Sequence, residues 1–214
     1  MQRPVTLVSG QWADLSLDSL GSKLQAFGYD GVELACWGQH LDVQRAVTDP
    51  GYVEAQKAIL ADHGLGCWAL SAHLAGQCIG DRYDERLNAF VPAACQGDAA
   101  KIRSWAETEM RQVPLAAKNM GCEVVTGFMG SPIWHAWYAF PPTTAEMIDA
   151  AFDEIVARWT PIFDAFDKHG VKFALEVHPT EIAFDYYTTE RLLEAFDHRP
   201  TLGINFDPSH LLWQ

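Results

Sequence analysis

VKFALEVH, residues 171–178, alternates apolar and polar side chains: Val171, Phe173, Leu175 and Val177 fall on one face of a strand, Lys172, Ala174, Glu176 and His178 on the other. TLGINFD, residues 201–207, divides the same way, with Leu202, Ile204 and Phe206 against Thr201, Gly203, Asn205 and Asp207. In CWALSAH (67–73), Trp68, Leu70 and Ala72 alternate with Cys67, Ala69, Ser71 and His73, and in GVELA (31–35) Glu33 opposes Val32 and Leu34. Small or polar residues thus share a face that ends in an ionisable side chain. An open sheet clothed by helices on both sides needs two apolar faces, whereas a closed barrel needs an apolar outside and carries polar chemistry at its mouth. The pattern favours closure.

Outward from these segments, short β-branched or apolar runs alternate with longer amphipathic stretches, as expected of parallel strands covered by helices. The strands are predicted at Val5 to Ser9, Gly31 to Ala35, Leu65 to His73, Glu123 to Phe128, Val171 to Val177 and Thr201 to Asp207. Helices are predicted at Leu17 to Phe27, Tyr52 to His63, Ala99 to Met120, Ala145 to His169 and Glu190 to Phe196. GYDG (28–31), HGLG (63–66), NMGC (119–122) and KHGV (168–171) each put Gly where a helix ends and a strand begins. The stretches Leu74 to Asp98 and Met129 to Thr144 read as irregular loops after strands three and four, at the end where α/β barrels keep their active sites. A doubly wound sheet would carry a Gly-x-Gly-x-x-Gly turn after its first strand, but that strand runs into SGQWAD. No linker or composition shift divides the chain, so residues 1–214 read as a single domain.

The 214 residues are 49% hydrophobic and 20% charged, enough to bury a core. Against 28 Asp and Glu stand 15 Lys and Arg, and the resulting charge of −13 repels nucleic acid and anionic membrane surfaces. Neither is an expected partner. Cys36, Cys67, Cys78, Cys95 and Cys122 form no Cys-x-x-Cys pair, and their odd number makes a poor disulfide framework. With no signal-like start and no run of about 18 apolar residues, the expectation is a cytoplasmic protein.

Neighbouring parallel strands lie roughly 4.8 Å apart, so Glu176 and Asp207, ending adjacent strands, are candidates to converge on one hard divalent cation. Each has a plainer alternative. Glu176 alone suits a solvated rim, and Asp207 in Asp-Pro-Ser suits a turn and helix cap. His73 and His210 are either site residues or ordinary hydrogen-bonded histidines, and His178, two residues beyond Glu176, either orients that carboxylate or binds substrate. Glu33 divides between an interior polar network and a substrate contact. Trp134, in the aromatic loop GSPIWHAWYAFPP, and Trp37, after strand two, would offer apolar faces to a bound substrate, or form a plug or a contact between copies.

With these residues the chain resembles the xylose-isomerase-like TIM-barrel superfamily of sugar isomerases, sugar 3-epimerases, inosose dehydratases and AP endonucleases. The likeness lies in FGYDGVEL (27–34), ALSAH (69–73), FALEVHP (173–179) and GINFDPSHLLWQ (203–214). It implies an α/β fold, a (β/α)₈ barrel of which this chain holds the first six βα units. It also implies that Glu176 and Asp207 bind a divalent metal (Mn, Mg, Co or Zn), that Glu176 doubles as catalytic base, and that His210 contacts substrate or a further metal. His73 matches a histidine that AP endonucleases use as a zinc ligand. The implied reaction is isomerisation or epimerisation of a sugar or sugar-like polyol through an enediolate. An AP-endonuclease-like phosphodiesterase and a non-catalytic sugar-binding barrel are the alternatives, and the acidic charge weighs against the first. The family completes its site with a histidine on strand seven and a carboxylate on strand eight. A complete barrel typically takes about 250 residues, so the chain reads as a truncated product or partial sequence, expected to lack activity alone and to associate with another copy.

Overall fold

The computed structural model describes residues 3–212. Six strands, β1 (Thr6–Val8), β2 (Gly31–Ala35), β3 (Gly66–Ser71), β4 (Val124–Gly127), β5 (Lys172–Glu176) and β6 (Leu202–Asn205), form one all-parallel sheet in sequential order. Between them run α1 (Leu17–Phe27), α2 (Val43–Thr48), α3 (Pro50–Asp62), α4 (His73–Gly80), α5 (Ala99–Met120), α6 (Ala145–His169) and α7 (Tyr186–Ala195).

Local chemistry sets the helix limits. Ser16, Asp98 and Thr144 cap α1, α5 and α6 by accepting backbone N–H groups of the first turn. Gly28, Gly64, Gly121 and Gly170 all take positive φ at the helix-to-strand junctions, a conformation that costs side-chain-bearing residues but not glycine. The repeated glycines of the sequence are therefore stop signals.

One face of the sheet is dry. Val32, Leu34, Leu70, Val125, Phe173 and Leu175 are fully buried, and Phe173 packs against Trp159, Phe163 and Phe166 of α6 with ring centroids 5.0, 5.9 and 5.7 Å away. The opposite face carries Glu33, Ser71, Thr126, Glu176 and Asn205. Thr126 on β4 donates to Glu33 on β2 at 2.5 Å, and His73 beyond β3 reaches Glu176 on β5 at 3.1 Å. Each contact skips the strand between. Side chains two strands apart, roughly 9.6 Å in a flat sheet, meet this readily on the concave side of a curved one. The polar face is the barrel interior.

Several expectations are corrected. The bulge between Val32 and Glu33 pairs Val32 with Cys67 but Glu33 with Ala69, so Trp68 is an extra residue. Cys67 consequently meets Cys122 on the helix side, and the Trp68 ring lies where Gly31 and Gly66 would carry Cβ atoms, on the face of Glu33. One added residue inverts the alternation upstream of it. The stretch expected to be irregular after β3 contains α4, whose small residues Gly76 and Gly80 sit against the backbone leaving β4. The last helix begins at Tyr186, four residues before Glu190, because Asp185 and Thr188 form a capping box. Ile204 on β6 and Phe206 just beyond it are 37% and 70% exposed rather than under helices, although Leu202 at the start of the strand is buried in the core.

Candidate active site at the carboxyl ends of the strands

Glu176 is the last residue of β5 and the hub of the site. Its Oε2 accepts from His73 Nε2 at 3.1 Å and Asn205 Nδ2 at 3.0 Å, and its Oε1 lies 3.1 Å from His210 Nε2. His73 is oriented in turn by Ser71, whose Oγ is 2.6 Å from Nδ1. A neutral imidazole satisfies this chain in one tautomer: Ser71 donates to Nδ1, and Nε2–H donates to Glu176. These donors hold the Glu176 carboxyl below its usual range, the His73 hydrogen bond first and His210 adding to it, against a burial penalty that pushes the other way.

Asp207 follows β6. Its Oδ1 accepts from Ser209 N at 2.8 Å, so it does cap the short 3₁₀ turn Pro208–Leu211, while Oδ2 faces His210 Nε2 at 3.4 Å. The plain reading and the functional one coexist in one carboxylate. The Ser209 contacts lower its pKa. Glu176, Asp207 and His210 present one ligand atom each, all within 4.8 Å of one another. Two hard carboxylate oxygens and an imidazole nitrogen around one point form a donor set suited to a divalent cation.

The remaining predicted residues fall at graded distances from this hub. Glu33 is set deeper, and burial raises its pKa while the Thr126 hydrogen bond opposes the rise. His178 does not orient Glu176. Its Nδ1 bonds the Pro179 carbonyl, and its ring packs at 4.2 Å on His210 and 5.0 Å on Phe128. Burial lowers its pKa, leaving a neutral ring beside the site. Trp37 lies over Gly10 between the first two loops, and Trp134 packs edge-on against Phe184 at 5.3 Å. Both are rim residues, with no hydrogen bond to the hub.

Sequence reasoning missed the layer behind the site. Glu181, 1% exposed, accepts Met129 N at 2.9 Å and Gly130 N at 2.6 Å through Oε2, tying the loop after β5 to the loop after β4. Its Oε1 has no hydrogen-bond partner. Asp81, beyond α4, accepts Ser131 N at 2.8 Å on the same loop. Burial, with the nearby Asp81 charge, pushes Glu181 up to about 8, and burial raises Asp81 too. Met129 is also held by the Trp159 indole, which donates to its carbonyl at 3.1 Å. Nothing local marks Glu181: it follows a proline turn, and its partners lie about fifty positions away.

Comparison with known proteins agrees with this architecture. The chain superposes on a probable 3-DHS dehydratase, AsbF, of Bacillus anthracis with TM-score 0.64, at 18% identity over 98% of this chain and 64% of that one. A 3-keto-D-glucoside 4-epimerase, YcjR, of E. coli gives TM-score 0.67 at 14% identity, over 98% and 70% of the two chains. The IOLI protein, solved with a bound zinc atom, gives 0.60 at 16% identity, over 98% and 64%. At such identities the likeness is one of fold, and the chain spans about 64% of the length of the first of these proteins. Among the described residues no helix is long and apolar enough to cross a membrane. The family model described as Xylose isomerase-like TIM barrel matches residues 22–214, and the chain belongs to that family.

Proposed function

We propose that this chain carries the core of a metal-dependent enzyme that isomerises or epimerises a sugar or sugar-like polyol by moving a proton at a carbon beside a carbonyl. The observation that supports the reading is the convergence of Glu176, Asp207 and His210 at the ends of β5 and β6. A cation held by these three would supply Lewis acidity, polarising the carbonyl and stabilising an enediolate. Glu176, kept ionised by its donors, is positioned to accept the proton. Ser71, His73 and Asn205 fix its orientation, since each further hydrogen bond removes a rotamer that would point the carboxylate elsewhere. His210, at the other oxygen of the carboxylate, would complete the donor set of that cation, and the neutral His178 and Phe128 form a less polar wall. Glu33 extends the polar surface into the barrel, and Trp37 and Trp134 offer faces for sugar C–H groups at the rim. The family likeness to a named sugar epimerase is consistent with this chemistry.

The test uses the full-length gene product, with Mn²⁺ titrated by calorimetry and ketose epimerisation followed by NMR. Glu176→Gln and Asp207→Asn should each lower turnover by about 10²-fold or more and weaken metal binding, with unchanged far-UV circular dichroism. Near-wild-type turnover in both variants would remove these carboxylates from the mechanism.

A further inference from the structure

At the other end of the barrel, Cys67 Sγ lies 3.6 Å from Cys122 Sγ across 55 residues of chain, within hydrogen-bond reach. The contact follows from the sheet. Ala69 pairs with Val124, and just upstream of that register the chain entering β4 brings Cys122 against Cys67. Neighbouring parallel positions are roughly 4.8 Å apart at Cα, inside the range of about 4.4–6.8 Å that a disulfide spans. The bulge in β2–β3 is what turns Cys67 to the helix side, toward Cys122. Sequence spacing alone hides the pair.

We propose that Cys67 and Cys122 are a reversible thiol–disulfide pair, an oxidation site that staples the entry of β3 to the entry of β4. The two thiols differ in a way that orders the steps. Cys67 is the less covered residue of the two, half-buried where Cys122 is buried. The Cys122 thiol donating to Cys67 favours the Cys67 thiolate. That thiolate attacks the peroxide oxygen, the O–O bond breaks, and the departing hydroxide or alkoxide takes a proton to leave as water or alcohol. Cys67 is then a sulfenic acid. The Cys122 sulfur attacks the Cys67 sulfur, the S–S bond forms as the S–O bond breaks, and the Cys122 proton leaves with hydroxide as a second water. The peroxide is reduced and the two thiols are oxidised by two electrons. A dithiol reductant reverses the change by exchange.

The staple lies four residues upstream of Ser71 on β3, roughly 13 Å from the Glu176 hub along the strand, so it acts on the scaffold rather than on the chemistry. Mass spectrometry tests it on the purified, reduced chain exposed to stoichiometric hydrogen peroxide. The expected product is a Cys67–Cys122 linked peptide, lighter by two hydrogens than the separate peptides, with a raised thermal midpoint that dithiothreitol restores. In Cys122→Ser, Cys67 should stop at the sulfenic acid and be captured by dimedone; in Cys67→Ser, Cys122 should stay alkylatable after denaturation. The wild-type measurement needs no variant to fold. Full alkylation of both thiols after peroxide, or conversion of Cys67 to sulfinic acid without the linked peptide, would overturn the proposal.

Discussion

Glu176 and Glu181 are five residues apart and sit in opposite electrostatic environments. His73, Asn205 and His210 surround the first with donors, whereas the second has two backbone N–H groups on one oxygen and no partner on the other. Donors favour the carboxylate and burial favours the neutral acid. For Glu181 burial wins, and its pKa of about 8 against an ordinary 4.5 has a sign that can be tested. A raised acid pKa means that the folded chain holds the proton more tightly than the unfolded one. The stability from that proton is complete below about 4.5 and is lost as pH rises toward about 8. Glu181→Gln keeps an acceptor for Met129 and Gly130 but has no proton to lose. Relative to wild type it should gain on the order of a few kcal/mol between those pH values, read by denaturant unfolding across the range. Parallel pH profiles for the two proteins would show that Glu181 is not the buried acid described.

α4 shows why an element can be present without an obvious sequence signal. His73-Leu-Ala-Gly-Gln-Cys-Ile-Gly80 has two glycines and no acid in its first turn, which argues against a helix by propensity. Its glycines are contact residues: a Cβ at Gly76 would collide with the Phe128 carbonyl, and one at Gly80 with the Met129 carbonyl. The helix forms because it lies flat on the backbone leaving β4, and that close approach delivers His73 to Glu176. Gly76→Ala should therefore lower stability by about 1–3 kcal/mol, measured by urea unfolding. It should also weaken metal binding by displacing the helix that starts at His73. An unchanged midpoint together with unchanged Mn²⁺ affinity would show that the approach is not required. α1, α5 and α6, with Ser, Asp or Thr at one end and Gly at the other, carried their limits in the sequence.

Over the whole described chain, β1 and β6 are each paired on one side only. Val8 is 40% exposed at one edge, and Ile204 and Phe206 are uncovered at the other. Unpaired strand edges with apolar neighbours are templates for association. The 214-residue chain by itself should therefore self-associate on size exclusion with light scattering, despite its charge of −13. Phe206→Glu should shift it toward monomer with the circular dichroism unchanged. A monomer at every accessible concentration for the unsubstituted chain would rule out these edges as adhesive.

The six-strand count, the parallel order, the glycine stops and the polar interior were legible in the sequence because they arise from short periods and adjacent residues. So was the closeness of Glu176, Asp207 and His210, which follow the ends of two neighbouring strands within 34 residues of each other. The structure decided what depends on distant surfaces. The bulge at Val32/Glu33 reversed the facing of Cys67 and Trp68, α4 took shape only against the exit of β4, and Glu181 acquired its role from backbone amides some fifty positions away. Alternation and capping are enforced by each residue's own geometry. Bulges, close backbone approaches and buried charges are set by what sheet curvature brings together, and no local pattern records them.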